Sequence, residues 1–267
     1  VKAKKEVPLM RTAHLVYFSP TGTTRKVSEY IAQGLGAEKV VHCDLTPAGA
    51  GFETVLTDGV AIIGIPVYAG RVPELCLQRL QAITAKHIPA VLVALYGNRE
   101  FEDALVELRD LSVAKGFNVV AAGAFIGEHS FSTPAQPIAA GRPDAEDLKL
   151  AVQFGKQVAA KIEDGDFKTP EIDGNVPYKE RPDLGGITPE TDSEQCTLCG
   201  KCAAVCPSGV IVVADSVETN ADNCILCCAC VKTCETNARS LTHPRIEGSR
   251  AMLYENCSMP KAPKIFI

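Results

Sequence analysis

At 267 residues with 46% apolar content, the chain is long enough for one large domain or two ordinary ones around a real core, which excludes a disordered tail. A formal net charge of −5 argues against nucleic acid as a partner, because phosphate neutralisation needs a concentrated Lys/Arg surface. No apolar run approaches bilayer-crossing length, and the basic start VKAKKEVPLMRTAHLVYF lacks an apolar signal core, so the expectation is a cytoplasmic protein off the membrane.

From Ala13 to about Asp164, strand-like apolar runs alternate with helix-like stretches, the pattern of a parallel sheet covered on both faces. The strand runs are HLVYFS from His14, KVVHCDL from Lys39, GVAIIGIPV from Gly59, AVLVALYG from Ala90 and FNVVAAGAFIG from Phe117. They are β-branched and show little alternation, as strands buried on both faces do. Helices are expected from Thr24, Pro73, Glu100 and Pro143; two end in Gly and two open on Pro, as helix termini prefer. TPAGAGFETVLTD, after the second strand run, is Gly-rich and reads as a loop or a short helix. These elements make residues 1–164 a first domain of the α/β class.

Residues 165–191, rich in Pro, Gly and charge, read as a linker long enough for its ends to lie on different sides of that domain. A Cys-rich domain follows over 192–243, and residues 244–267 form a tail whose Leu253, Tyr254, Ile265 and Phe266 need cover, so it is expected to pack back on the body.

Most of the twelve cysteines are bunched in that one segment, so metal ligation in a reducing cytosol is a better account than a disulfide framework. The spacing C-x2-C-x2-C-x3-C-P runs through Cys196, Cys199, Cys202, Cys206 and Pro207, and is repeated by Cys224, Cys227, Cys230 and Cys234. Three thiolates on a tight loop hold three corners of a cubane, and the fourth corner must come from elsewhere. A pair of zinc sites is the competing account, though four cysteines per run exceed what tetrahedral zinc needs. The segment closely resembles bacterial two-cluster ferredoxins over about 50 residues. That resemblance implies two 4Fe-4S clusters, one on Cys196, Cys199, Cys202 and Cys234 and the other on Cys224, Cys227, Cys230 and Cys206. Two departures stand out: Glu235 occupies the position where the family has Pro, and Cys228 is a ninth cysteine, read as a buried small side chain or as a replacement ligand. Cys43, Cys76 and Cys257 read as packing thiols. Six acidic against three basic residues around the runs favour a low cluster potential.

Between the first strand and first helix lies SPTGTT: Ser19, Pro20, Thr21, Gly22, Thr23 and Thr24. Its hydroxyls, freed amides and helix N-terminus make an anion cradle without a cation, suited to a phosphate monoester, or else an ordinary Ser/Thr helix cap. A P-loop is excluded by the absence of Gly-Lys-Ser/Thr, and a dinucleotide fingerprint by the absence of G-x-G-x-x-G. S-x-T-G-x-T at this place, with five strand runs, resembles the flavodoxins. The resemblance implies a flavodoxin-like doubly wound five-stranded parallel sheet of order 2-1-3-4-5 that binds FMN at its switch point. The loops that would then frame the flavin ring hold Pro66, Val67, Tyr68, Ala69, Gly70 and Arg71 after the third strand, and Tyr96, Gly97, Asn98 and Arg99 after the fourth. By that analogy Tyr68 or Tyr96 stacks on the ring, Gly70 and Gly97 admit backbone amides, Asn98 offers its amide, and Arg99 steadies an anionic reduced flavin. Each also has a plainer account, a strand-end tyrosine or a solvated arginine. His129, in the long loop after the fifth strand, is the candidate catalytic residue, as proton donor or gate, or else a turn-holding histidine.

The whole chain therefore resembles the flavodoxin–ferredoxin fusion family (EFR1-type) of anaerobic bacteria and archaea, an α/β domain followed by a smaller α+β ferredoxin domain. The resemblance implies an electron-transfer flavoprotein with FMN and two 4Fe-4S clusters, exchanging electrons with redox partner proteins, within one chain or across a homodimer. The alternatives are a flavin-dependent reductase of a quinone or nitro compound, and a redox-sensing iron-sulfur module without FMN.

Overall fold

The computed structural model describes residues 12–50 and 53–267. The front part runs β1 (Thr12–Tyr17), α1 (Thr23–Leu35), β2 (Lys39–Asp44), β3 (Thr54–Leu56), β4 (Val60–Pro66), α2 (Glu74–Leu80), β5 (Ile83–Ala85), β6 (Pro89–Tyr96), α3 (Ala104–Ala114), β7 (Asn118–Ile126) and α4 (Ala145–Glu163). The Cys-rich part contains β8 (Glu190–Thr191), α5 (Lys201–Ala204), β9 (Ile211–Val213), β10 (Val217–Thr219), α6 (Ala229–Lys232) and β11 (Arg239–Ser240). The chain closes with α7 (Pro244–Asn256) and β12 (Lys264–Phe266).

The main sheet has the order β2-β1-β4-β6-β7-β12. Its first five strands are mutually parallel, while β12 pairs antiparallel with β7. The sheet is thus six-stranded, where the sequence reading expects five; the sixth strand comes from the extreme C-terminus and was too short to show a period. Strands β4, β6 and β7 are buried almost throughout because helices cover both faces. One face packs Val16, Ile63 and Leu92 against Leu80 of α2 and Leu105 of α3. The other packs Leu15, Ile62 and Val93 against Ile31 of α1 and Phe154 of α4. Helices α1 and α4 approach closely at two glycines: a Cβ on Gly34 would lie 2.1 Å from the Val152 carbonyl, and one on Gly155 2.2 Å from that of Ile31. In the Gly-rich stretch after β2 the structure forms strand β3, which pairs parallel with β5, and no helix among the described residues.

Residues 165–191 depart from the sequence reading, because they are no free linker. They run without regular structure along the front domain, with Ile172 and Ile187 buried. Asn175 and Lys179 donate their backbone N–H groups to the Asp103 carboxylate at 2.8 and 2.7 Å, and the Tyr178 hydroxyl donates to Asp110 at 2.6 Å. Arg181 and Arg71 share Glu107, at 2.9 and 2.6 Å. The segment is a strap. It delivers the chain to β8, which pairs with β11 and so closes the Cys-rich part on itself.

Candidate functional site

A cleft of about 680 Å³ lies at the carboxyl ends of β1, β4, β6 and β7, the end at which doubly wound sheets bind ligands. After β1, the turn is closed by the Gly22 N–H donating to the Ser19 carbonyl at 3.0 Å, and Gly22 takes φ +80°, which a side chain would strain. Helix α1 starts at Thr23 with a glycine, Gly22, at its N-cap and so no cap from that residue, which leaves the Thr23 and Thr24 N–H groups free to meet an anion. Pro20, Thr21, Thr23 and Thr24 line the cleft. Ser19 does not: its Oγ accepts the Arg25 N–H at 3.1 Å.

After β4, Tyr68 and Arg71 exchange backbone hydrogen bonds of 3.0 Å around Ala69 (φ 51°) and Gly70 (φ 81°), a tight turn with both central residues left-handed. Pro66, Val67, Tyr68 and Ala69 line the cleft. Gly70 and Arg71 lie outside its lining, correcting the expectation for both. Gly70 backs onto Glu102, whose Oε2 a Cβ would meet at 1.7 Å, and Arg71 turns to Glu107 and the Tyr178 ring. Burial, with Cys227 and Cys228 nearby, holds the Tyr68 phenol well above its ordinary value.

After β6, Tyr96 is buried edge-on to Phe101 at 5.8 Å, and burial pushes its hydroxyl up to about 12. Tyr96, Gly97 and Arg99 line the cleft. Asn98 does not: its amide donates to the carbonyls of Cys257 and Met259 and accepts the Lys261 N–H, so it pins the C-terminal segment and offers nothing to a ligand. Gly97 must lack a side chain, since a Cβ there would stand 2.2 Å from the ring of His129. That histidine accepts the Phe131 N–H on Nδ1 at 3.0 Å and meets the Phe131 ring edge-on. Burial first, then Arg99 and Lys232, push it down to about 4. It is therefore held neutral near pH 7, with its proton on Nε2.

The roof of the cleft comes from residues the sequence reading passed over: Lys179, Arg181 and Leu184 of the strap, Ile225 and Leu226 of the second cysteine run, and Arg245, Met252 and Leu253 of α7. The strap and α7 lack any functional motif, but the second run did hold a signal. Where the first run has Thr197 and Lys201, both exposed, the second has Ile225 and the buried Ala229. The second run thus faces inward and the first outward.

None of the twelve cysteines is in a disulfide. Cys206, Cys224, Cys227 and Cys230 together bound one small cavity, whose wall is completed by Cys228 and Ile225. Cys202 and Cys206 pack with Cys230 and Ile211 in one apolar cluster. The helix bearing Cys202 is tied to the residue after Cys234 by the Lys201–Glu235 ion pair at 2.5 Å. Each run places Leu at positive φ, Leu198 at 53° and Leu226 at 54°, so the loops wrap inward alike. Four cysteines around one cavity supply the all-thiolate donor set of an iron-sulfur cluster.

The Cys-rich part is docked on the front domain. Arg79 donates to the Pro207 carbonyl at 2.7 Å and Lys232 pairs with Glu128 at 2.5 Å, while Arg250 of α7 bridges the two parts by donating to the Phe131 and Leu241 carbonyls, each at 2.8 Å.

Among families, the 4Fe-4S binding domain matches residues 188–211, which contain the first cysteine run. No curated protein matches the chain. Among solved structures, the chain is similar to a flavodoxin from the domain Archaea, 15% identical over 57% of this chain and 99% of that one, TM-score 0.36. It is similar also to the Streptococcus pneumonia TIGR4 flavodoxin, 20% identical over 56% and 99%, TM-score 0.39. A third is the NAD(P)H:quinone oxidoreductase from Methanothermobacter marburgensis, 12% identical over 58% and 96%, TM-score 0.36. A doubly wound α/β domain packed against a 4Fe-4S binding segment defines a redox protein. Among the described residues no helix is long and apolar enough to cross a membrane.

Proposed function

We propose that the chain is an electron-transfer flavoprotein that holds FMN in the cleft and two 4Fe-4S clusters on the eight run cysteines, and passes electrons between one-electron and two-electron protein partners. The observation that carries this reading is Ile225. It lines both the cleft and the cavity bounded by Cys206, Cys224, Cys227 and Cys230, so a single side chain separates the two sites. Cys199, in contrast, is exposed, which suits the first run to receive electrons from outside.

On this reading the first turn of α1, with Thr21, Thr23 and Thr24, holds the phosphate by backbone N–H and hydroxyl groups. The loops after β4 and β6 flank the ring through Tyr68, Tyr96 and Gly97, and Arg99 supplies positive charge. His129 keeps its proton on Nε2 and orients a hydrogen bond without giving the proton up. Cys196, Cys199, Cys202 and Cys234 hold one cluster; Cys224, Cys227, Cys230 and Cys206 hold the other. When bound, the flavin takes up two electrons while clusters pass them singly.

The test is anaerobic purification with iron, sulfide and FMN quantification, followed by stepwise reduction read by visible absorption and EPR. About eight iron and one FMN per chain are expected, with flavin and cluster reduction coupled. Clusters without FMN after reconstitution would sink the reading and return the Ser19–Thr24 loop to a helix cap.

One observation favours a second reading, reduction of a small acceptor inside the cleft. The strap and α7 roof the cleft over, where a carrier serving only protein partners has reason to leave it open. Saturable turnover of a small acceptor separates the two.

A further inference from the structure

Part of the cleft's lining has no counterpart in the sequence motifs, and it is apolar at Phe131, Leu184, Leu226, Met252 and Leu253. Met252 is 46% exposed, a flexible side chain at the mouth of an apolar site.

Among the described residues, the charged side chains lining the cleft are ion-paired except two, Arg245 and Glu180. Arg99 and Lys179 share Glu102. Arg181 is paired with Glu107, and Lys232 with Glu128. Arg245, at the start of α7, lines the cleft, and among the described residues no carboxylate stands within 4.0 Å of it. Glu180, in the strap, is the exposed carboxylate of the lining, and it too is unpaired among the described residues. An arginine at the rim of an apolar slot offers a planar two-pronged donor to a carboxylate or sulfonate, and a flat apolar body behind that anion would fill the slot.

We propose that this part of the cleft binds a planar aromatic electron acceptor of the quinone class that bears one anionic group, with Arg245 pairing to the anion and Phe131, Leu226 and Met252 packing on the ring. The binding is a property of these walls; the reduction rests on the reading above. In that reduction the quinone takes up two electrons, supplied singly by a one-electron donor of ferredoxin type, and two protons from water, and leaves as the hydroquinone.

The test uses the full chain, reconstituted anaerobically with iron, sulfide and FMN, with all three quantified. Naphthoquinone sulfonate and unsubstituted naphthoquinone serve as the charged and neutral probes. Equilibrium dialysis against oxidised protein measures binding, and rapid mixing with prereduced protein measures reoxidation. The charged probe is expected to bind about tenfold more tightly than the neutral one, the size of one hydrogen bond to a charged group. Arg245→Gln should remove that advantage, Arg245→Lys should keep part of it, and binding of the neutral probe should change with neither. Equal affinity of the two probes for the unaltered chain, or a charged-probe advantage that survives Arg245→Gln, overturns the proposal. If the protein takes up clusters but no FMN, the electron-transfer reading fails, yet dialysis and its Arg245 dependence still decide the site. With FMN and clusters in place, tight binding of the charged probe without reoxidation refutes the reduction step alone.

Discussion

The neutral His129 ring carries its proton on Nε2, because Nδ1 accepts the Phe131 N–H. The fold holds the ring uncharged down to about 4, against an ordinary value of 6.5. An unfolded ring therefore binds a proton first as the solution is acidified. The stability contributed by burying the neutral ring is complete above pH 6.5 and is lost as pH falls from there towards about 4. His129→Asn, which keeps an acceptor for Phe131, should flatten the dependence of Tm on pH between about 7.5 and 5.5, where the unaltered chain loses Tm on acidification. An unchanged slope would mean that the ring is not held neutral. At this scale the sequence was a good guide to position and a poor one to role. Arg71, Asn98 and His129 stand in the loops where the motifs placed them, but their partners Glu107, the Cys257 and Met259 carbonyls, and the Phe131 N–H are long-range contacts that no local spacing reveals.

The strap between α4 and β8 depends on Glu107 of α3. This one carboxylate accepts from Arg71 at 2.6 and 2.9 Å, from Arg181 at 2.9 Å, and from the Val72 N–H at 2.9 Å. Its side chain is only 7% exposed, so its removal would leave the largely buried Arg71 guanidinium without a counter-charge and Arg181 with Glu74 alone at 3.5 Å. Glu107→Ala is expected to cost about 3 kcal/mol in denaturant unfolding, and to make residues 173–186 newly sensitive to protease while the Cys-rich part still takes up iron. A strap that stays protected would show that Asp103 and Ile172 hold it unaided. Ion pairs and carboxylate–backbone bonds of this kind explain why the segment looked like a linker: they need no apolar period, and the Pro, Gly and charge that signal a loop are the same residues that make a strap. The strands of the sheet were legible for the opposite reason, since burial on both faces forces unbroken apolar runs such as VAIIGI and AVLVALY. Strand β12, with one buried residue in three, had no such constraint.

Seen as one molecule, the protein works as proposed only while the second cysteine run stays against the cleft. Arg79 is a tether on the far side of that contact. Its guanidinium donates to the Leu45 carbonyl at 2.6 Å, to that of Thr46 at 2.8 Å and to that of Pro207 at 2.7 Å, joining the end of β2 to the loop after Cys206. It also lies over the Phe18 ring at 5.8 Å, so a methionine would preserve much of the packing while deleting the bonds. Losing even one hydrogen bond from a charged donor, about 1.5 kcal/mol, shifts a docked–undocked equilibrium roughly tenfold. In Arg79→Met, iron and FMN contents should match those of the unaltered chain, because no proposed ligand is touched. The rate at which electrons injected at the clusters appear on the flavin should fall by about that factor, to the extent that the domains separate. Flash reduction followed at flavin and cluster wavelengths measures it. Unchanged transfer with unchanged cofactors would mean that Lys232–Glu128, Arg250 and the Ile225 contact suffice to hold the parts together. Slow transfer that recovers in viscous or crowded solution would point to a docking equilibrium, since excluded volume favours the compact form by only about 0.2–1 kcal/mol and can rescue no more than a marginal interface.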